Sequence, residues 1–182
     1  VDTQGNVVCL DTESGEKRWQ AGLSGGGSKS PSMPPFISRG LVFVRHNGYR
    51  NLECFRLSDG RSMKTWSATR QTHVQFSDNG LFAVLDGGKI ELYDPTRIKK
   101  PVWTKQYDEN RYPAVLDISD DYVVVLPGYT SEEVKVLSTA NGREVSSLKP
   151  MLSGGGTAYA VDARIDGRDV FLVCSMTRMG GY

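Results

Sequence analysis

The 182-residue chain is 38% hydrophobic and 24% charged, a balance typical of a folded globular protein and unlike that of a disordered tail. Its formal net charge of +1 gives no electrostatic reason to expect a nucleic-acid partner or binding to an acidic membrane surface. No segment approaches the roughly 18 apolar residues of a membrane helix, so membrane insertion is not predicted.

Short apolar runs follow one another along the chain, each bounded by Gly, Asn, Asp or Ser. The clearest are Leu41 to Val44, Leu81 to Leu85, Tyr122 to Leu126 and Val170 to Cys174. Helical periodicity is nearly absent, and 20 glycines punctuate the chain, many of them where hairpin turns are expected. The pattern predicts an all-β protein of short antiparallel strands.

The runs recur at a fixed interval. Two similar glycine-rich segments begin at Leu23 and Leu152, which are 129 positions apart, or three periods of 43. Between the long runs lies a second half-repeat. In it, a strand is followed by a turn rich in Asp and Ser and then by a last strand, which ends on a large apolar residue. Those closing residues are Trp19, Trp66, Trp103 and Leu148, and we expect them to dock between neighbouring units. A period of about 40–45 with four short strands per unit is the interval of a β-propeller.

The half-repeat that ends in Ser14-Gly15-Glu16-Lys17-Arg18-Trp19 resembles the PQQ-like (quinoprotein-type) β-propeller repeat. The segment from Ser30-Pro31 to Gly40-Leu41-Val42-Phe43-Val44 is similar to another part of that repeat. The resemblance implies a propeller of four-stranded antiparallel blades. It weakens along the chain, because Pro95 replaces the turn glycine in the third copy and Leu148 replaces the Trp in the fourth. WD40-like families therefore stay open as alternatives.

The closing residues predict where the blades end. Residues 1–19 would be a partial blade, about 20–66, 67–103 and 104–148 complete blades, and 149–182 a second partial blade. About four blades are thus expected, and the resemblance implies that they are part of a larger propeller, because the resembling family usually closes with six to eight blades. The other blades would lie elsewhere in the protein or on a partner chain.

Quinone chemistry is not predicted from these residues. A PQQ-dependent dehydrogenase of the resembling family would carry adjacent cysteines, calcium ligands and a catalytic Asp, whereas Cys9, Cys54 and Cys174 are far apart. The aspartates considered are expected at strand ends or turns, namely Asp2, Asp11, Asp59, Asp86, Asp94, Asp117, Asp120 and Asp121. His46, placed in a polar loop, and His73 are too few for a zinc site. No catalytic, cofactor-binding or metal-binding residue is predicted, and PQQ and calcium are expected only under the oxidoreductase alternative below.

Function is expected on the exposed loops of such a fold. The candidate partner-binding residues are Tyr49, Arg50, Asn110 and Arg111. The glycine runs at 25–27 and 154–156 are predicted to permit close approach of inner strands. The favoured hypothesis is a non-catalytic protein-binding or scaffold module within a larger protein or assembly. The alternatives are a fragment of a PQQ-dependent-type oxidoreductase and the sensor domain of a signalling protein. The family resemblance alone implies a periplasmic or extracellular location.

Overall fold

The computed structural model describes residues 5–24, 34–46, 50–69, 72–128, 131, 133–150 and 159–175. Tyr49 and both glycine runs lie outside these residues. The described strands, in chain order, are β1 (Asn6–Leu10), β2 (Lys17–Gly22), β3 (Phe36–Ser38), β4 (Leu41–His46), β5 (Asn51–Arg56), β6 (Ser62–Ser67), β7 (His73–Phe76), β8 (Phe82–Asp86), β9 (Lys89–Tyr93), β10 (Trp103–Gln106), β11 (Ala114–Ile118), β12 (Tyr122–Leu126), β13 (Val134–Ser138), β14 (Glu144–Leu148), β15 (Tyr159–Asp166) and β16 (Asp169–Ser175). Two single 3-10 turns, Pro95–Arg97 and Glu109–Arg111, are the helical elements of the described chain.

The strands form antiparallel sheets in which each strand pairs with its neighbour in the sequence. Three sheets have four strands, namely β3–β6, β7–β10 and β11–β14, while β1–β2 and β15–β16 form sheets of two. The predicted all-β fold is confirmed. The chain divides into two compact units, residues 1–72 and 73–182, which are described separately below. The predicted blade boundaries stay a prediction.

In the first unit, the core lies between β1–β2 and β3–β6. It contains Val7, Val42, Val44 and Phe55, with the Trp19 ring packed against them. Val42 and Val44 alternate along β4, so both point to the same face of the sheet. That face is buried because it meets the apolar side of the preceding two-stranded sheet.

In the second unit, β12 is buried on both faces. Val123 and Val125 belong to a core shared with β7–β10, whereas Val124 and Leu126 belong to a core shared with β15–β16. A strand between two other sheets has no solvent face, which explains why β12 reads as an unbroken apolar run and does not alternate.

One hairpin geometry recurs in the last two strands of three sheets. At each turn a glycine lies at a φ near +70°, namely Gly15, Gly60 and Gly142, and its N–H donates to the carbonyl four residues earlier. This left-handed conformation is the one that glycine adopts without steric cost. A β-bulge precedes each turn, at Cys9/Leu10, Cys54/Phe55 and Val136/Leu137. The β9–β10 connection differs, as Pro95 predicts, and forms a 3-10 turn capped by Asp94.

Candidate functional site

Two of the predicted closing tryptophans make the same contact within their own units. The Nε1 of Trp19 donates to the carbonyl of Leu57 at 2.7 Å, and the Nε1 of Trp103 donates to the carbonyl of Thr139 at 2.8 Å. Each indole also lies against the turn glycine three residues after its acceptor. This glycine is Gly60 for Trp19 and Gly142 for Trp103. In each case the acceptor turn belongs to a later sheet of the same unit, so the indole spans the gap between two sheets.

The other two closing residues lie differently. Trp66 is buried near Phe43, with ring centroids 6.3 Å apart, and the Lys64 ammonium lies 5.3 Å from its ring. Leu148 is half-buried and packs on the core between β11–β14 and β15–β16. A docking role for these four residues is a proposal that rests on the Trp19 and Trp103 contacts.

The predicted loop residues that the structure describes are all exposed. Arg50 lies in the turn before β5, within the first unit. In the second unit, Asn110 and Arg111 are neighbours in a 3-10 turn whose cap is Asp108, and the Asp108 carboxylate accepts from the Asn110 amide N–H at 3.0 Å. The structure therefore brings Asn110 and Arg111 together on one capped turn. Their role in binding stays a prediction.

The second unit contains a cleft of about 440 Å³ at the turns that join the first two strands of successive sheets. Its lining residues are Phe76, Asp78, Asp117, Ile118, Ser119, Asp120, Asp121, Arg164, Ile165 and Gly167. Three of its four carboxylates, from Asp78, Asp120 and Asp121, belong to exposed residues. The cleft is thus anionic and open to water.

Asp117 differs from the other aspartates, because it lies inside β11, at a bulge, and is buried. It lies one residue from the end of its strand, as expected, but its carboxylate binds another strand and not its own turn. Its carboxylate accepts from the backbone N–H of Ile165 in β15 at 2.7 Å and lies 3.6 Å from the Arg164 guanidinium. Asp117 therefore ties the two-stranded sheet to the complete sheet before it. In the sequence, the available signal for the burial of Asp117 was the position of its carboxylate between the apolar Leu116 and Ile118.

Replacing Asp117 by alanine is expected to lower the free energy of unfolding by about 1–3 kcal/mol, because the Ile165 N–H loses its acceptor. Amide exchange at Ile165 should accelerate at the same time. Urea unfolding and hydrogen exchange measure the two effects. Asp120→Ala, an exposed change in the same cleft, should stay within about 0.5 kcal/mol of the parent. Equal losses of stability and equal exchange at Ile165 in the two variants would contradict the role of Asp117 in joining the two sheets.

A buried polar group lies in the first unit. The Glu53 carboxylate accepts from the backbone N–H and the hydroxyl of Ser24 at 2.9 and 3.0 Å and from the Ser62 hydroxyl at 2.8 Å. His46 lies 3.5 Å from it and ends β4, so its predicted place in a polar loop is wrong. These contacts join three segments of the unit, which favours a structural role.

Two buried side chains have raised pKa values. Burial, with a smaller contribution from the Glu53 charge, raises the pKa of Cys54 to about 12, so this thiol is protonated and unreactive at neutral pH. Burial, and then the Glu144 charge, raises the pKa of Tyr107 to about 12. The Tyr107 Oη is buried and has no hydrogen-bond partner among the described residues.

The described residues also bear on metal binding and on membrane insertion. No cluster of three or more His, Cys, Asp or Glu side chains there has the geometry to hold a metal ion. No helix in the same residues has the length and apolar character needed to cross a bilayer.

Large apolar side chains are exposed on the two-stranded sheets. Phe171 and Val173, on one face of β16, are 60% and 59% exposed, and Val161 in β15 is 51% exposed. Leu10 at the end of β1 is 55% exposed. Among the described strands, β16 pairs only with β15 and β1 only with β2. Each two-stranded sheet thus combines an open strand edge with exposed apolar side chains.

The comparisons with known proteins agree with this architecture. The family model described as "Outer membrane protein assembly factor BamB" matches residues 1–171. No curated protein matches the sequence significantly. The chain is similar to solved BamB from Moraxella catarrhalis, with 20% identity, a TM-score of 0.50, and coverage of 88% of this chain and 51% of that one.

Two further solved structures are similar. Hsv2p from Kluyveromyces lactis is 14% identical with a TM-score of 0.56, over 94% of this chain and 56% of that one. The computationally designed Ika8 protein is 12% identical with a TM-score of 0.58, over 93% of this chain and 49% of that one. At these identities the likeness shows the fold alone. The chain spans about half the length of each of these three solved structures.

Repeated antiparallel four-stranded sheets and propeller neighbours define a β-propeller module. The match over residues 1–171 makes the chain a member of the PQQ-like propeller family described as outer membrane protein assembly factor BamB. The resemblance inferred from the repeat is confirmed.

Proposed function

We propose that the chain is a non-catalytic protein-binding module that accepts an extended partner segment at the open edge of β16. The observation that carries the proposal is the exposure of Phe171 and Val173 on a strand with one described neighbour. Unpaired strand edges are natural sites for strand addition, in which backbone hydrogen bonds supply affinity and alternate side chains supply specificity.

The chemistry of this surface favours an extended partner segment that presents an apolar face over a bound ion. The net charge of +1 gives no strong field to attract an ion. A contiguous exposed apolar patch commonly marks a protein-interaction site, since its burial removes apolar area from water. The pleat of β16 presents Phe171 and Val173 two residues apart on one face, which matches the two-residue period of an added strand.

The test uses a fluorescein-labelled ten-residue peptide in which valine alternates with lysine, titrated against the chain by fluorescence anisotropy. Val173→Asp is expected to weaken binding by about ten- to hundredfold, because a buried valine contributes about 1.5–3 kcal/mol. The same peptide with one central residue replaced by proline should bind weakly, since proline cannot donate to the ladder.

The matched control is Val145→Asp. Val145 is 56% exposed on β14, the outer strand of a complete sheet, so it gives the same chemical change at another edge. It should change peptide affinity less than about twofold. Equal losses for the two variants, or equal affinity for the proline peptide, would overturn strand addition at β16.

Two finer points belong to the same proposal. Arg50 and the Asn110–Arg111 turn would form further partner contacts, because exposed Arg side chains on rigid turns suit protein recognition. An extracytoplasmic, outer-membrane-associated location is supported by the description of the family.

A further inference from the structure

Tyr112 has an unusual backbone conformation for its residue type. Among the described residues, those with a positive φ are nine glycines and two others, Arg39 at +45° and Tyr112 at +52°. Arg39 and Gly40 are the two central residues of the β3–β4 hairpin, whose common two-residue turn requires a positive φ at both. Tyr112 instead follows the 3-10 turn Glu109–Arg111, at a place where glycine is the usual residue. Its bulky side chain is therefore present at a cost in backbone energy.

The Tyr112 side chain gains little from the fold in return. It is 58% exposed, and among the described residues its phenol makes no hydrogen bond or ring contact. Pro113 follows it, and a residue before proline favours an extended conformation, which Tyr112 does not have. Backbone strain of this kind is concentrated at binding sites and other functional sites. The strain therefore points to a role for the phenol outside the fold.

The turn that carries Tyr112 is held between two neighbouring turns. On one side, a Cβ added at Gly88 would lie 2.6 Å from the carbonyl oxygen of Tyr107. On the other side, a Cβ added at Gly128 would lie 2.8 Å from the Cβ of Arg111. The absence of a side chain at both glycines permits this close approach. A surface that is held in place before binding loses less conformational entropy when a partner docks.

Arg111 gives this surface a positive charge that no described residue pairs. The side chain is exposed, and within the described chain its guanidinium forms no ion pair or hydrogen bond. The Asp108 carboxylate is engaged by the Asn110 amide N–H at 3.0 Å. The Glu109 Oε2 lies 3.5 Å from the place of a Cβ at Gly87, on the side of the β8–β9 turn. Because guanidinium groups pair strongly with carboxylates, the group that suits Arg111 is a carboxylate on a partner.

We propose that Tyr112 and Arg111 form a second protein-binding surface, whose partner segment presents a carboxylate to Arg111 beside an apolar side chain that packs on the Tyr112 ring. Tyr and Arg are enriched among the dominant contacts of protein interfaces. The inference rests on the proposed role as a protein-binding module and names the partner's chemistry at the Asn110–Arg111 turn. It does not depend on strand addition at β16.

The probe is a fluorescein-labelled peptide of three Asp-Pro-Leu repeats, titrated against the full 182-residue chain by fluorescence anisotropy. Its prolines prevent strand addition, so binding reports on the Tyr112 surface. Tyr112→Gly and Arg111→Gln are each expected to weaken binding at least about tenfold, as for a dominant interface contact. A peptide of three Lys-Pro-Leu repeats should bind at least about tenfold more weakly than the aspartate peptide, because it offers Arg111 a like charge.

Stability measurements separate a binding role from a structural one. Tyr112→Gly should leave the urea midpoint equal to that of the parent chain or raise it, because glycine adopts the left-handed conformation without steric cost. Arg97→Gln is the matched control for the loss of charge, since Arg97 is exposed and also ends a 3-10 turn of the second unit. It should change peptide affinity less than about twofold.

The outcomes separate this inference from the proposed function. Unchanged peptide affinity or a lower urea midpoint in Tyr112→Gly, equal losses for Arg97→Gln and Arg111→Gln, or equal affinity for the lysine peptide would each overturn it. If the valine–lysine peptide binds in a Val173-dependent manner and the Asp-Pro-Leu peptide does not bind, strand addition holds and the Tyr112 surface fails. If only the Asp-Pro-Leu peptide binds, in a Tyr112-dependent manner, the Tyr112 surface holds and strand addition fails. If neither peptide binds, both fail.

Discussion

Replacing Trp103 by alanine is expected to lower the free energy of unfolding by about 3–5 kcal/mol, the range for truncating a buried Trp or Phe. The indole is buried in the core between β7–β10 and β11–β14. A Cβ added at Gly142 would lie 2.8 Å from the Cδ2 atom of the Trp103 ring, so the ring is in direct contact with the turn backbone. Truncation leaves a cavity there and removes the donor that serves the Thr139 carbonyl.

Two variants divide this loss into its parts. Trp103→Phe retains an aromatic ring but loses the 2.8 Å hydrogen bond, and the smaller ring fills less of the space that the indole occupies. An intermediate loss of unfolding free energy is therefore expected. Val102→Ala, beside it and exposed, should change stability by less than about 0.5 kcal/mol. Urea unfolding followed by fluorescence and circular dichroism measures all three. A Trp103→Ala loss no larger than that of Val102→Ala would show that the indole does not hold the sheets together.

Replacing Gly88 by alanine is expected to destabilise the second unit by about 2–5 kcal/mol, from left-handed backbone strain and overpacking together. Gly88 has φ +79°, and an added Cβ would lie 2.6 Å from the carbonyl oxygen of Tyr107 and 2.9 Å from the Glu109 Cα. Both are backbone atoms, so the clash cannot be relieved by a side-chain rotation. The 2.9 Å hydrogen bond from the Tyr107 N–H to the Gly88 carbonyl would be disturbed as well.

The adjacent Gly87 is the matched control for this substitution. It also has a positive φ, +52°, but the nearest atom to an added Cβ is the Glu109 Oε2, 3.5 Å away on a flexible side chain. Gly87→Ala should therefore cost only the backbone strain, about 1–2 kcal/mol. Urea midpoints measured side by side decide the matter. Equal losses at the two positions would mean that the close approach of Tyr107 and Glu109 does not contribute.

The repeated features of the fold were predictable from sequence because they recur. The strand runs, the glycine turns and the tryptophan that closes a half-repeat each occur several times in the sequence. Their repetition shows that these patterns did not arise by chance. Pro95, which replaces the turn glycine of the other copies, likewise predicts a different connection between β9 and β10, and the structure has a 3-10 turn there.

What could not be predicted depends on single contacts between sheets. No Gly or Pro marks the bulge beside Asp117, and its position between two apolar residues does not identify the Ile165 N–H as its partner. His46 follows an apolar run and precedes Asn47-Gly48, which favours a loop position in the sequence, whereas the structure buries it beside Glu53 of the next strand.

The contact between an indole and a later turn has a direction, and direction matters during synthesis. Trp19 and Trp103 reach acceptors 38 and 36 residues further along the chain. At about 5–20 residues per second, each ring emerges from the ribosome roughly 2–8 s before its acceptor turn. During that interval its apolar face is open to other chains and to chaperones. Within each unit, the sheet that carries the tryptophan would therefore gain this contact only after the sheet that carries the acceptor turn has been made.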